Sequence, residues 1–383
     1  MNICTITCQN ADNHGARLQA YALAEYLRQQ GHTVRVIDYR PDYMTFRGKM
    51  WFWPGKSLKG WGKLLLQWNF RRLDLQRHSN FVAFSERYIP LTKRIYYTFN
   101  ELKDNPPVAD LYICGSDQIW NTTFRNGTDP AYYLDFGTPT TRRISYAASF
   151  ATDSLREGTT DFVKSHLQNL NSISVRESSG LDILNGLGLY GTQVMDPVFL
   201  LPASHWEQIA DEWYNNAIPK EKRSMPQGEQ YILVQDFMRD DAIRRTAQRI
   251  ARLTGWRIWQ VSPYRLGYAD RSFRTAGPEQ FLWLIRNASC VVSNSFHVTA
   301  FSLIFGRDAF VVNRSDGLNN RMADLLHRFD IEYRLVTADT PDTTLLQPLD
   351  YKRITVDIER QADMSRQWLN EEIENLKCRL SYE

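Results

Sequence analysis

The stretch NICTITCQNADNHGARLQAYALAEYLRQQGHTVRVID, residues 2–38, decides the fold class. Asn2 to Cys8 is a short β-rich run that reads as a strand. A polar loop, Gln9 to Gly15, follows it. From Ala16 to Gln30 the spacing turns helical, with Ala16, Ala20, Leu23 and Leu27 on one face, and Gly31 stops the helix. Thr33 to Asp38 is a second strand. Strand, helix and strand in this order form a βαβ unit, whose crossover demands parallel neighbours.

Outward from this unit the same punctuation recurs. Strands are expected at Leu111–Cys114, which runs into Gly115-Ser116-Asp117-Gln118, at Ile144–Ala147, and at Ser172–Val175, which ends at Arg176-Glu177. Val194-Met195 is cut short by Asp196-Pro197. Past residue 202 a second alternating set begins. Strands Tyr231–Gln235, Trp256–Val261, Cys290–Ser293 and Ala309–Asn313 are followed by helices Asp240–Leu253, Glu279–Asn287, Val298–Phe305 and Asn319–Arg328. Val356–Arg379 is a long polar helix. The pattern predicts an α/β protein of two Rossmann-like lobes, 1–202 and 203–352, with 353–383 returning as a helix to the first lobe. An aromatic and basic insertion occupies about 40–100. A chain of 383 residues suits two domains at roughly 150 residues each.

Composition narrows the function classes. Hydrophobic residues at 43% and charged residues at 23% are an ordinary globular balance. A formal net charge of +3, with no recognised binding module, gives no case for nucleic acid. Five cysteines without a C-x-x-C pair indicate neither a disulfide framework nor a zinc ribbon, and seven histidines show no H-x₃-H pairing, so no metal is expected. Free thiols, no visible signal peptide and no bilayer-length apolar run point to the cytoplasm. Segment 40–77 carries nine Lys or Arg against Asp42 and Asp74, interleaved with Trp51, Trp53, Trp61 and Trp68. Such a segment suits peripheral contact with an anionic membrane surface. A solvated insertion folded over the first lobe is the equal alternative.

Ligands of open parallel sheets bind beyond the carboxyl ends of the strands. The loops there are polar: Asn13-His14-Gly15, Gly115-Ser116-Asp117-Gln118, Arg176-Glu177 and Ser293-Asn294-Ser295-Phe296-His297. Neither G-x-G-x-x-G nor a P-loop is present, and Asp38 alone is a weak dinucleotide signal. Gly15 opens a helix whose free N–H groups suit an anion or hydroxyl, while Asn13 equally suits plain capping. His297 begins a helix after an apolar strand. The helix dipole there favours a neutral imidazole able to shuttle protons. A guanidinium at Arg176 suits a carboxylate or phosphate. Arg245, Arg249 and Arg252 read as an exposed helix face.

Several phrases, in order from residue 13 to 326, resemble the polysaccharide pyruvyl transferase family. Asn13-His14-Gly15-Ala16-Arg17-Leu18-Gln19-Ala20-Tyr21-Ala22-Leu23 is similar to that family's N-Y-G-A-x-L-Q-A-Y-A-L opening. Gly115 to Asn121, Ser145 to Phe150, Ser174 to Glu177 and Asp196 to Leu201 follow. Ser293 to Ser302 looks like T-N-S-F-H-G-T-A-F-S, and Asn320 to Leu326 matches a late helix motif.

The resemblance implies a GT-B-like cleft between the lobes. It implies transfer of a pyruvyl group from phosphoenolpyruvate, the donor and not a cofactor, to a saccharide or glycolipid; segment 40–77 would bring that reaction to the membrane's inner face. By the same resemblance His297 is the acid/base and Arg176 a donor anchor. Asp117 joins the proton chemistry, Asn294, Ser295, Arg314 and Arg321 the donor site, and Asn13, His14, Gln19 and Trp120 the acceptor site. Two positions depart from the pattern. Val298 replaces a glycine, and Ser295 stands where some members carry arginine, which leaves the donor contact to Arg314, Arg321 or Arg265. A nucleotide-sugar glycosyltransferase and a non-catalytic member of a polysaccharide-assembly complex are the rival readings.

Overall fold

The computed structural model describes residues 1–44, 58–225, 227–313 and 320–380. Two parallel sheets dominate it. The first contains β1 (Asn2–Ile6), β2 (Thr33–Tyr39), β3 (Leu91–Tyr96), β4 (Leu111–Cys114) and β5 (Arg142–Ser145), in the order β3-β2-β1-β4-β5. β6 (Ser174–Val175) and β7 (Thr192–Gln193) pair with each other and continue this sheet through single bridges, Ile144 to Ser172 and Ala148 to Val175. The second contains β8 (Tyr231–Gln235), β9 (Arg257–Gln260), β10 (Arg271–Ser272), β11 (Cys290–Ser293), β12 (Asp308–Val312) and β13 (Leu335–Val336), in the order β10-β9-β8-β11-β12-β13. Each order reverses once, between β1 and β4 and between β8 and β11. Those reversals are where doubly wound sheets open a crevice.

The side-chain alternation explains why both sheets are buried on both faces. Leu111 and Ile113 join one apolar cluster, and Tyr112 and Cys114 join another. Leu233, Val291 and Val311 join the first cluster as well, while Val234, Val292 and Val312 form a third. The largest cluster therefore runs from one lobe into the other. It also takes in Leu369, Ile373 and Leu376 of the last helix, Tyr351–Leu380. That helix starts on the second lobe, where the Tyr351 hydroxyl donates to Asp308 at 3.0 Å, and returns to the first, where Asn370 donates to the Tyr26 hydroxyl at 3.0 Å.

The segment expected as an insertion is partly a helix, Leu58–Tyr88. Residues 45–57, with Trp51 and Trp53, lie outside the described residues, so the membrane-contact expectation rests on composition alone. Where side chains of this helix are described, one face turns inward and another, with Arg72, Leu75 and Arg87, is exposed. Phe81 and Phe84 are fully buried, and buried Arg77 donates to the Asp12 carbonyl at 3.0 Å. No helix among the described residues is long and apolar enough to cross a membrane.

His14 joins the lobes. Its ring stacks on Phe281 at 4.3 Å, and Nε2 lies 3.0 Å from the Ala276 carbonyl. The carbonyl can only accept, so Nε2 carries the hydrogen and Nδ1 faces the Gln235 amide. Burial, reinforced by Arg77, lowers the His14 pKa to about 3. An unfolded histidine titrates near 6.5. Between these values the unfolded chain binds the extra proton, so this ring's contribution to stability is whole above pH 6.5 and is lost as pH falls toward 3. At pH 4.5 the loss amounts to about 2–3 kcal/mol. His14→Phe is expected to melt with a shallower pH dependence than the parent between pH 7 and 4.5. Parallel dependences would refute the assignment.

Candidate active site

The two reversals face each other, and the residues at their strand ends meet. His297 sits in the first turn of the helix Phe296–Ile304, two residues earlier than the expected start at Val298. Its ring lies against Gly15 at the start of the opposing helix His14–Gln29. A Cβ built on Gly15 would collide with Nδ1 and Cγ and stand 2.6 Å from Cε1. A side chain of one lobe thus rests on bare backbone of the other.

Behind the imidazole is a carboxylate that sequence reasoning quoted but gave no role: Asp196. His297 Nε2 lies 3.6 Å from its Oδ2. The same oxygen accepts from Ser116 Oγ at 2.9 Å and from Arg176 Nη1 at 2.8 Å, and Oδ1 accepts from the Val198 amide at 3.1 Å. Burial raises the Asp196 pKa, but His297 and Arg176 overcome this and hold the carboxyl well below its usual range. Arg176 is itself buried. Desolvation opposes its charge, and Asp196, Glu177 and Asp117 outweigh that and keep it protonated. Its guanidinium also lies over the Phe296 ring at 4.2 Å, a second contact between the lobes. Glu177 is held in turn by Ser149 Oγ at 2.6 Å and the Ala151 amide at 2.9 Å.

The backbone around this cluster is unusual. Asp117, Ala147 and Ala151, all in loops beyond β4 and β5, have φ of 74°, 51° and 59°. Left-handed non-glycine residues cost roughly 1–3 kcal/mol each and gather where a site fixes the chain.

A family model described as polysaccharide pyruvyl transferase matches residues 13–316, most of the chain. The chain belongs to the polysaccharide pyruvyl transferase family. No sequence in the curated set matches it. Solved structures similar over nearly the whole length include UDP-GlcNAc 2-epimerase from Neisseria meningitidis bound to UDP-GlcNAc, at 9% identity, 98% of this chain, 100% of that one and a TM-score of 0.51. S. aureus MnaA with UDP gives 11%, 98%, 97% and 0.52. Arabidopsis thaliana UGT89C1 complexed with UDP-L-rhamnose gives 10%, 98%, 98% and 0.51. At such identities the likeness speaks for the fold: two Rossmann-like lobes in the GT-B arrangement.

Several of the residues expected to form the pyruvyl transferase site are placed otherwise than the sequence reading held. Trp120 is fully buried, stacked on Tyr133 at 5.8 Å with Nε1 donating to the Tyr132 carbonyl, so neither face is open to a sugar. Gln19 is also fully buried. It donates to Thr7 Oγ1 at 2.8 Å, and Thr7 donates to the Ser116 carbonyl at 2.7 Å, so Gln19 braces the loop that holds Asp196 rather than an acceptor. His14 is spent on the seam described above. Asn13 is exposed and caps its helix, accepting from the Gly15 amide at 2.9 Å. The Asp117 carboxylate turns back onto the Gln118 amide at 2.9 Å, so the carboxylate next to His297 is Asp196 instead.

Three expected donor residues do lie at the cleft. Asn294 is buried beside His297, and its Nδ2 finds no hydrogen-bond partner among the described residues. Ser295 precedes the helix without capping it. Arg321 reaches across to the first lobe, where both terminal nitrogens lie within 3.0 Å of the Gln118 amide, which fixes its oxygen toward the guanidinium. Arg314 lies outside the described residues. Arg265 is exposed on a separate concavity with Arg239 and Arg244.

Arg176 is the subtler case. It stands in the cluster with His297, but its charge is matched by carboxylates, and the cavity it lines with Asp196 and Arg328 measures about 10 Å³, room for about one water. It holds the site together before it could hold a ligand. A far larger concavity, about 930 Å³, is elsewhere, along the outer face of the helix Asp241–Thr254. It is lined by the expected Arg245, Arg249 and Arg252 row, and the first two are ion-paired to Asp241 and Asp342. Asp241, the carboxylate in its lining, is tied into ion pairs with Arg244 and Arg245.

Proposed function

We propose that the protein transfers a pyruvyl unit from phosphoenolpyruvate to two hydroxyls of one sugar, forming a cyclic ketal. The observation that carries this reading is the imidazole of His297, lodged between the lobes at the carboxyl ends of both sheets and backed by a buried carboxylate. Family membership supplies the reaction class.

The chemistry is balanced by what lies there. Both sugar oxygens form bonds to the central carbon of the donor. Its methylene carbon takes one hydroxyl proton and becomes a methyl group. The bond to the phosphate oxygen breaks, and phosphate leaves with the second proton. An imidazole serves one of these proton transfers. Asn294 Nδ2, a buried donor with no acceptor among the described residues, suits an anionic donor molecule. Arg321 brings positive charge to the same face, where guanidinium groups absorb the charge of departing phosphate. No metal is needed in this scheme. The basic, tryptophan-rich composition of 40–77 extends the acceptor to a lipid-linked saccharide.

The test is phosphate release from phosphoenolpyruvate in the presence of free and lipid-linked saccharides. Release should require both substrates and fall about 10²–10⁴-fold in His297→Ala. Thermal stabilisation by a nucleotide sugar, with none by phosphoenolpyruvate and no phosphate from any acceptor, would replace this reading with a glycosyltransferase.

A further inference from the structure

We propose that Asp196 is the positioning residue for His297, holding the ring with its hydrogen on Nε2 and leaving Nδ1 to exchange the proton with substrate. The inference rests on the pyruvyl-transfer reading for the reaction, but not for the geometry.

Nε2 is a buried nitrogen with no hydrogen-bond partner within normal distance among the described residues. What faces it, at 3.6 Å, is Asp196 Oδ2. An ionised carboxylate only accepts, so a nitrogen turned toward it is the one that bears hydrogen. The choice of tautomer by the partner of the distal nitrogen is a general property of functional histidines. Asp196 is well suited to make that choice. It is fully buried, and donors from Ser116, Arg176 and Val198 fix both of its oxygens. Because the carboxylate cannot swing, the imidazole must adapt to it. Gly15 lies against the ring and limits its tilt, since a Cβ there would overlap Nδ1 and Cγ. The 3.6 Å separation is longer than a hydrogen bond. Such contacts are often loose in the free enzyme and close when substrate binds.

Arg176 has a defined part in this arrangement. Its guanidinium, 2.8 Å from the same Oδ2, keeps the carboxylate anionic, so Asp196 orients the imidazole without taking its proton. The order Arg176, Asp196, His297 therefore reads as cation, fixed anion and mobile proton carrier.

The tautomer is measurable in the intact protein by ¹⁵N-histidine NMR, with the His297 resonances assigned by their loss in His297→Gln. The expected result is that the neutral form of the ring carries its hydrogen on Nε2. A ring protonated at Nδ1 overturns the proposal, whatever reaction the protein catalyses. A second measurement uses Asp196→Asn. It should lower kcat by about 10²–10⁴-fold with little change in KM for phosphoenolpyruvate, because orientation and not donor affinity is lost. A loss confined to KM, or an undiminished kcat, would sink it. Should that variant fail to fold, the wild-type tautomer still decides. An Nε2-protonated ring in a protein that never releases phosphate would leave the positioning in place and reject the reaction.

Discussion

Gly15→Ala is expected to leave the protein folded and to remove at least about 99% of its turnover, since misplacing a reacting group by about 1 Å costs about 10²-fold. Locally the change is favourable, because alanine suits a helix better than glycine by roughly 0.5–1 kcal/mol. Gly15 lies inside the helix His14–Gln29 at a negative φ, so no backbone strain follows. The three atoms nearest the new Cβ all belong to the side chain of His297 from the other lobe. A side chain can yield where backbone cannot, so the ring turns away and the fold survives. The decisive control is the double variant. In a His297→Ala background there is no ring to displace, and Gly15→Ala should cost nothing further. Full turnover in Gly15→Ala, with its melting temperature unchanged, would show that the imidazole is not held where the structure places it.

Arg176→Met is expected to destabilise the protein by about 3–5 kcal/mol, because it leaves the Asp196 carboxylate buried beside a missing partner. Adding Asp196→Leu removes the stranded charge, so the double variant should recover most of that stability. Denaturant unfolding of both variants measures this. If Arg176 served mainly as a free anchor for the donor, the single variant would instead fold normally and show only a raised KM for phosphoenolpyruvate. The geometry favours the first outcome, since Asp196 and Glu177 both lie within 4 Å of the guanidinium.

Much of the fold was legible because short apolar runs ended by polar loops leave little choice of structure. Leu111–Cys114, Tyr231–Gln235 and Cys290–Ser293 are strands with the expected ends. β3 was not read, since Leu91-Thr92-Lys93-Arg94-Ile95-Tyr96 is an edge strand with exposed Lys93 and Arg94 and no apolar run. The helix Leu58–Tyr88 is hidden in the sequence because its tryptophans and basic residues mask any clean period. Of the site, His297 and Arg176 were visible as unusual residues at strand ends. Asp196 was not, because a carboxylate before a proline reads as a turn, and its partners converge only in three dimensions. His14 and Trp120 show the converse failure. A polar or aromatic residue in a suggestive phrase looks like a ligand contact until the rings packed around it are known, Phe281 in one case and Tyr133 in the other.

The apolar cluster that spans both lobes also bears on how a substrate enters. Prising the halves apart would return its side chains to water, at about 25 cal/mol for each Å² uncovered. That cost weighs against a wide swing of one half against the other and favours small local shifts at the rim.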